Sequence, residues 1–488
     1  MQQKSLKKNA FLNAFKTFLG LCFPLITFPY SSRVLGPDSL GKVNFAQSIV
    51  SYFSMIAWLG IQTYAIREAA RVRDDKASLS KIVKEIFTIN LISTAVSYGF
   101  LAVSLLLVKK FACYRELIII CATLIMFETL GLDWLYTAME DYVYRTVRSM
   151  IFQVISVILL FVLVKTKDDY LKYAAINVVS NAGANICNFI HARKYISFKT
   201  TGRLELRRHL KPVFVFFFSY VASTIFSHID TTMLGFLKGD TEVGFYSAAL
   251  KIITMIRNLI PAVLIVLFPR ISYYISRNNM ESIRLLVEKT VNAVICFTLP
   301  MMVGLILLME PLVTLFCGEK YYASVLVAQV MTPYIMITAL SGFIGGTLCN
   351  AFGKEKIALY VVLFSMIFDV VLNSLLIPRW GAYGAALATL FTELVGLIFY
   401  SIYQRRLLKT LAVKKCILQF VLSTAIMGCA VYFVRGVFEN RLLTLFAPTF
   451  TGIAVYALIL VILKNEFFIS EALESIEKMK TWFKSKIS

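Results

Sequence analysis

The stretch GPDSLGK, residues 36–42, has the glycine and lysine spacing of a phosphate-binding loop. That chemistry requires a serine or threonine after the lysine to hold Mg²⁺, a strand before the loop and a helix after it. Val43 stands at the hydroxyl position, and a long apolar run precedes Gly36 instead of a strand. The sequence therefore predicts no nucleotide site. We expect Gly36 and Pro37 to end one helix and Gly41 to permit a tight turn before the next.

Polar and cationic side chains recur along one face of several long apolar segments. Such groups are costly in hydrocarbon and normally face a polar cavity or a partner. An arginine and lysines in these positions suit an anionic substrate, because a diphosphate needs charge compensation once it leaves water. The predicted substrate-binding residues are Arg257, Lys251, Lys16, Asn258, Gln47 and Asn44.

Each of the three cations has an alternative interpretation. Arg257 lies about 20 Å into its predicted helix at 1.5 Å per residue, too deep to reach either surface easily. It is expected to line a cavity or to form a structural ion pair, for which Asp230, Asp369 and Glu393 are the candidate partners. Lys16 and Lys251 lie nearer to helix ends, where long side chains can snorkel to the surface.

Three acidic residues are candidates for coupling transport to a proton or sodium gradient. They are Asp230, Asp133 and Glu128, and for each a purely structural role is the alternative. The nine cysteines are scattered without CxxC or CxxH spacing, and the three histidines are dispersed. We therefore expect no catalytic residues, no metal site and no cofactor other than a coupling H⁺ or Na⁺.

Composition defines the class of protein that must position these groups. Of the 488 residues 58% are hydrophobic and 16% are charged, and the mean hydropathy is +0.74. Soluble globular domains do not have this composition, so the chain is predicted to be an all-α polytopic membrane protein. The net charge of +22 lies in short segments between apolar runs, where basic residues act as topological anchors, so nucleic-acid binding is not expected.

About 14 transmembrane helices follow from a span length of roughly 20 residues. Their predicted starts are near residues 10, 41, 86, 116, 146, 170, 212, 244, 290, 323, 357, 382, 416 and 442. Lys and Arg concentrate in the connections that lie on the same side as both ends, which places both termini in the cytoplasm. The predicted divisions are an N-lobe 1–195, a cytoplasmic linker 196–211, a C-lobe 212–404, two extra helices in 405–465 and an amphipathic basic tail 466–488.

A faint internal repeat supports two six-helix lobes. Leu35-Gly36 with Gly41 after the first helix returns as Leu234-Gly235 with Gly244-Phe245 after the seventh, and LYTAMED (135–141) is echoed by LCNAFGK (348–354). Repeated bundles of this kind often enclose a site near the membrane midplane. Chance recurrence of common residue pairs is the alternative explanation.

Three segments resemble a known family. They are SRVLGPDSLGKVNFAQSIVSYFSMIAWLGIQTYAIREAARVRDD (32–75), LGLDWLYTAMEDY (130–142) and VGFYSAALKI (243–252). They are similar to the Wzx-like flippases of polysaccharide repeat units, which serve O-antigen, capsule or exopolysaccharide synthesis. These flippases belong to the multidrug/oligosaccharidyl-lipid/polysaccharide (MOP) superfamily.

The resemblance implies a transporter, not an enzyme, in the bacterial inner membrane. It would move undecaprenyl-diphosphate-linked oligosaccharide from the cytoplasmic to the outer leaflet by ion-driven alternating access. Membrane lipid and the polysaccharide polymerase machinery are its expected partners, and no nucleotide or nucleic acid is expected.

Two other transport functions and one enzymatic function are alternatives. A multidrug cation antiporter of the same superfamily is the first, although basic groups in the spans argue against a cationic substrate. Lipid II flippases share the RVLG segment, Arg33 to Gly36, but follow it with an Arg-Asp pair where this chain has Pro37-Asp38. A membrane glycosyltransferase or polymerase would need a large catalytic loop, and the predicted outward connections are short.

Overall fold

The computed structural model describes residues 6–197, 204–258, 271, 273–275, 277, 279–412, 414–438 and 440–474, and only the backbone of residues 6–19, 21, 22, 219, 355, 414 and 441. The described part of the chain is helical and contains no strand. This confirms the all-α prediction.

Most of the helices are long. In the first half of the chain they are α1 (Leu6–Trp58), α2 (Ile61–Arg71), α3 (Lys76–Leu107), α4 (Lys109–Ala112), α5 (Arg115–Gly131), α6 (Asp133–Ala138), α7 (Tyr142–Leu163), α8 (Tyr170–Val178), α9 (Ala184–His191) and α10 (Arg207–Leu237). In the second half they are α11 (Asp240–Arg257), α12 (Met280–Cys317), α13 (Ser324–Met331), α14 (Pro333–Ser341), α15 (Glu355–Tyr403), α16 (Arg405–Leu408), α17 (Lys414–Arg435) and α18 (Arg441–Ile462). Short π-helical segments continue α8 at Val179–Gly183 and α14 at Gly342–Cys349.

The number of membrane spans agrees with the sequence. Ten helices in the described residues are long and apolar enough to cross a membrane. Gly36 in α1 and Gly381 in α15 have non-helical backbones. Each of these two long helices therefore consists of two helical arms joined at the glycine, and each arm corresponds to one predicted span. Residues 170–191 and α11 lie at two further predicted spans, so fourteen helical segments in the described residues correspond to the fourteen predicted spans. The chain is therefore a multi-pass membrane protein.

The chain forms two compact units. The first comprises residues 1–247 and 369–385, and the second comprises 248–368 and 386–488. The first unit has a core of buried apolar side chains from α2, α3, α6 and the start of α10, including Ile61, Val83 and Leu135. The second unit has one core around Phe343 and Tyr400 and another around Phe420 and Leu460. The lobe boundaries predicted from the sequence stay predictions.

Three glycines of the first unit lie where a helix starts or where two helices cross. Gly36 has φ 74° and ψ 175°, a conformation that favours glycine, and it separates the two arms of α1 as predicted. The predicted turn at Gly41 is wrong, because Gly41 lies inside the second arm. A Cβ there would lie 1.8 Å from the Asp240 carbonyl oxygen, and a Cβ on Gly244 would lie 2.0 Å from the Pro37 carbonyl oxygen. The glycines therefore let the starts of two helices touch backbone to backbone.

This crossing corrects the register of the predicted repeat. Gly36 and Gly239, 203 residues apart, both have positive φ and directly precede Pro37 and Asp240, where the crossing helices start. Gly235, the predicted counterpart of Gly36, instead lies within α10, where a Cβ would meet the Phe45 ring at 2.0 Å. The pairing of Leu35-Gly36 with Leu234-Gly235 is therefore wrong by four residues.

The second predicted repeat has matching backbone geometry. In residues 135–141 the amides of positions 139, 140 and 141 donate to the carbonyls of 135, 137 and 136 at 2.9, 3.2 and 2.9 Å. In residues 348–354 the amides of 352, 353 and 354 donate to the carbonyls of 348, 350 and 349 at 3.0, 3.0 and 2.8 Å. Glu140 and Gly353 both adopt positive φ at the corresponding position. Two helices therefore end in the same way 213 residues apart, which supports an internal repeat.

Within the first unit, buried polar contacts attach the end of the predicted linker to α2 and α3. Glu85, fully buried, accepts from Arg208 Nη2 at 2.6 Å and from the Glu205 amide at 2.8 Å, and it lies 2.9 Å from His209 Nε2. Tyr64 Oη lies 2.7 Å from the other ring nitrogen of His209. Lys81 donates to Glu205 at 2.6 Å, which lowers the pKa of that exposed carboxyl. Residues 198–203 of the linker lie outside the described residues.

The beginning of the predicted tail packs on the second unit. Residues 466–474 are helical, and Phe467 and Phe468 contact the core around Phe420. Lys289 of α12 pairs with Glu471 at 2.5 Å. Residues 475–488 lie outside the described residues, so the amphipathic tail stays a prediction.

The glycine crossing predicts a sharp difference between two alanine substitutions. Alanine normally favours a helix over glycine by about 1 kcal/mol. Gly41→Ala should nevertheless lower the thermal midpoint of the purified protein, because overpacking against a backbone carbonyl costs roughly 1–3 kcal/mol. Gly99→Ala is the matched control, since no atom lies within 4 Å of its added Cβ. Equal midpoints for the two variants would contradict the crossing.

Candidate functional site

A cation site in the second unit is built around Arg257. The α11 helix carries this residue at its last described turn, and its side chain is partly buried. Arg257 Nη1 donates to Tyr334 Oη at 2.7 Å, and the guanidinium lies 5.4 Å from the centre of the Tyr334 ring. Its charge also acts on Glu393 of α15, which is partly buried.

These contacts orient the guanidinium without using all of it. Of five N–H donors on an arginine, one is taken by Tyr334 within the described part of the chain. No ion pair closer than 4.0 Å joins Arg257 to Glu393 there. Arg257 thus lies against the face of the Tyr334 ring and retains N–H groups that can donate hydrogen bonds to an anion.

The other predicted substrate residues fall into separate groups. Lys251 lies on α11 two turns before Arg257 and is exposed, and Asn258 directly follows the end of α11 and is also exposed. Gln47 and Asn44 lie on the second arm of α1 in the first unit and are partly buried. Lys16 lies in α1, but its side chain is outside the described part. That these residues line one cavity stays a prediction.

Asp230 occupies a buried polar site in the first unit. It is 6% exposed and accepts from Tyr246 Oη at 2.5 Å and from Asn373 Nδ2 at 2.6 Å. Asp369 precedes Asn373 by one helical turn on α15 and is 1% exposed. Asp230 of α10 and Asp369 of α15 are thus both buried, and Asn373, one turn after Asp369, bonds to Asp230. This is an oxygen-rich environment suited to a proton or a hard cation.

A neighbouring polar cluster connects α1 to the same segment of α10. Thr232 Oγ1 lies 3.0 Å from Tyr52 Oη and donates to Ser48 Oγ at 3.0 Å. The negative charge of Asp230 also acts on the Tyr52 hydroxyl. These hydrogen bonds join the second arm of α1 to α10.

Asp133 has the surroundings of a structural ion pair. It follows Leu132, whose φ of 45° breaks the helix between α5 and α6. Two arginines of α7 bind its carboxylate, Arg145 at 2.5 Å and Arg148 at 3.2 Å, and Asn188 Nδ2 donates to it at 3.3 Å. These contacts favour the structural alternative over ion coupling for Asp133.

Glu128 has fewer hydrogen-bond partners than Asp133 in the described part of the chain. It lies on α5, partly buried, and accepts from Trp58 Nε1 at 3.0 Å. The contact joins α5 to the end of α1. Within the described residues no group of three or more His, Cys, Asp or Glu side chains could hold a metal ion.

Sequence reasoning did not single out Tyr334, Tyr246 or Asn373. Tyrosines are common at span ends, so the two tyrosines gave no distinguishing signal. Asn373 had one, because Asp369 and Asn373 are four residues apart inside an apolar span and therefore share a helix face.

Comparisons with known proteins identify the family and the fold. The family model for polysaccharide biosynthesis proteins matches residues 6–275, and the MatE model matches residues 216–375. A candidate O-antigen transporter of Escherichia coli (strain K12) is 26% identical over 395 residues, covering 80% of this chain and 94% of that protein. A candidate low-salt glycan biosynthesis flippase of Haloferax volcanii, Agl15, is 22% identical over 49% of this chain and 51% of its own length.

Solved structures show the same fold. A lipid II flippase, MurJ, in an inward closed conformation superposes with a TM-score of 0.75 at 18% identity, covering 94% of this chain and 99% of that one. An inward-facing multidrug transporter of the MATE family, within the MOP superfamily, gives a TM-score of 0.62 at 15% identity, covering 80% and 95%. The resemblance noted in residues 32–75, 130–142 and 243–252 is thereby confirmed, and the chain belongs to the polysaccharide biosynthesis protein family.

Proposed function

We propose that the protein is a flippase for undecaprenyl-diphosphate-linked oligosaccharide. It moves the repeat unit from the cytoplasmic to the outer leaflet of the bacterial inner membrane by ion-gradient-driven alternating access. The names of the relatives support transport of lipid-linked glycan and no enzymatic reaction. Both termini lie in the cytoplasm in this proposal, since the basic connections lie on that side.

The observation that carries the proposal is the arrangement at Arg257. A guanidinium oriented by Tyr334 and retaining free donors matches a diphosphate, which accepts paired hydrogen bonds from arginine. Exposed Lys251 adds a second positive charge on the same helix, two turns away. Such groups offset part of the cost of moving a diphosphate through hydrocarbon.

Asp230 is the best supported of the three coupling candidates. Asp133 is bound by two arginines, and Glu128 is bound by a tryptophan. Asp230 is buried and accepts hydrogen bonds from a phenol and an amide. Asp230 binds H⁺ or Na⁺, and release of the ion down its gradient supplies the driving force; Asp369, one turn from Asn373, adds a further carboxylate.

A cation-coupled multidrug antiporter is the second candidate. The MatE match to residues 216–375 and the structural similarity to MATE transporters favour it. An exposed lysine and an incompletely paired arginine on α11 favour an anionic substrate instead. Cells lacking the gene distinguish the two, because loss of surface polysaccharide indicates the flippase and increased drug sensitivity indicates the antiporter.

Arg257→Ala should slow translocation of lipid-linked oligosaccharide in proteoliposomes at least tenfold while expression is retained. The expected loss corresponds to about 1.4 kcal/mol or more, a modest value for a charge-assisted hydrogen bond to phosphate. Lys320→Ala, an exposed cation elsewhere in the second unit, is the control and should transport at the wild-type rate. If Arg257→Ala also transports at that rate, the assignment of the site fails.

Glu393→Gln separates substrate binding from a structural ion pair. If Arg257 binds the diphosphate, removing the nearby carboxylate should leave transport intact or increase substrate affinity, because a competing negative charge is lost. A loss of transport and of thermal stability equal to that of Arg257→Ala would instead establish the ion pair as the role of Arg257. Both variants are measured in the same proteoliposome assay and by thermal unfolding.

Asp230→Asn should remove the dependence of transport on an imposed Na⁺ or proton gradient. The amide has nearly the shape of the carboxylate but no charge to attract a cation. Glu128→Gln tests the rival candidate in the same assay and should retain the wild-type response. Transport is measured in proteoliposomes with each gradient in turn, and a full gradient response in Asp230→Asn would rule out Asp230 as the coupling site.

A further inference from the structure

A polar cavity lies within the first unit, and it shares no lining residue with the sites described above. It has a volume of about 560 Å³, within the usual range for small-molecule sites. Its chemistry comes from six side chains: Lys42, Tyr114, Arg115, Glu116, Tyr170 and Asp240. These come from the second arm of α1 and from the starts of α5, α8 and α11, so four helices meet at one end of the unit.

Contacts among these residues hold part of the wall in place. Tyr114 Oη donates to Asp240 Oδ1 at 2.6 Å. Lys42 pairs with Asp38 at 2.8 Å, and its ammonium lies 5.7 Å from the centre of the Tyr170 ring. Asp240 also forms the backbone crossing with Gly41. One wall of the cavity is therefore rigid.

The lining of the cavity also has unused polar groups. Arg115 and Glu116 are exposed, and neither forms an ion pair or a side-chain hydrogen bond within the described part of the chain. Acidic residues in a first helical turn are expected on electrostatic grounds alone, so Glu116 and Asp240 by themselves would indicate nothing. Two cationic donors and a tyrosine beside them in a defined cavity require a different explanation.

The balance of charge identifies the class of ligand. Lys42 and Arg115 carry two positive charges and Glu116 and Asp240 carry two negative charges, so the lining does not select a free anion or a free cation. It offers both donors and acceptors, which is what a neutral ligand rich in hydroxyl groups requires, because each hydroxyl both donates and accepts. The Tyr170 ring adds an apolar surface of the kind that packs against a sugar ring.

We propose that this cavity binds a sugar unit of the transported oligosaccharide on the outer side of the membrane. The inference rests on the proposed function, which supplies both the glycan and the outward orientation of residues 36–42 and 112–117. In this proposal the cavity contacts the glycan part of the substrate, and Arg257 contacts the diphosphate. Glycan preference is therefore set partly at this outer cavity.

The test compares two charge-balanced double variants of the full-length protein. Arg115→Met/Glu116→Gln removes the unused groups of the cavity. Lys165→Met/Asp168→Asn is the matched control, since both residues are exposed in the connection before α8 and lie outside the cavity. Thermal unfolding of both variants checks that they are folded.

Binding is measured by isothermal titration with the lipid-free repeat unit released by mild acid from the polysaccharide of the encoding strain. The wild type and the control should bind this glycan equally, and the cavity variant should bind it at least tenfold more weakly. Equal affinity in all three proteins would overturn the inference, as would displacement of the glycan by inorganic phosphate. Translocation of lipid-linked oligosaccharide by the wild type is assayed separately, and its absence would refute the proposed function whatever the outcome of the titration.

Discussion

The lack of water in the hydrocarbon core constrains the polar groups of the membrane spans. A charged side chain at the centre of a bilayer costs about 2.5–3.5 kcal/mol by insertion measurements, so each must find partners inside the protein. Arg435 of α17 follows this rule, since it donates to the Leu307 carbonyl at 2.6 Å and pairs with Glu310 at 3.1 Å. Asp133 follows it as well, with two arginines and an asparagine. Among the described residues Arg257 has a single hydrogen bond, to Tyr334, and this distinguishes it from the structural charges.

The same constraint governs the backbone. Peptide groups in lipid must be paired within helices, so changes of direction concentrate at residues that tolerate unusual dihedral angles. Gly36 separates the two arms of α1, and Gly381 separates the two arms of α15. In both helices the sequence stays largely apolar on either side of the glycine. Where helices cross at Gly41 and Gly244, the missing side chains bring main-chain atoms into direct contact. The outer cavity lies beside this contact, so its shape depends on the crossing.

Local sequence patterns were enough to predict the spans and their number. Hydropathy and the Lys and Arg distribution depend on short segments, and each predicted start falls in a helix or within a residue of one. The role of Gly41 was not accessible in this way, because its partner Asp240 lies about 200 residues away in the chain. The same applies to the hydrogen bonds between Asp230 and Asn373. An apolar span reveals that a charge must be accommodated, and only the fold reveals which residue accommodates it.

The matching helix ends at 135–141 and 348–354 show which property of a duplicated segment persists. The amide-to-carbonyl pattern is the same in both copies, although few side chains agree. Glu140 holds its left-handed backbone at a cost of roughly 1 kcal/mol that Gly353 avoids. The ion pair between Glu140 and Arg73 is exposed to solvent, so it offsets little of that cost. Glycine at this position thus avoids backbone strain in one segment, and what the two segments share is their main-chain hydrogen-bond pattern.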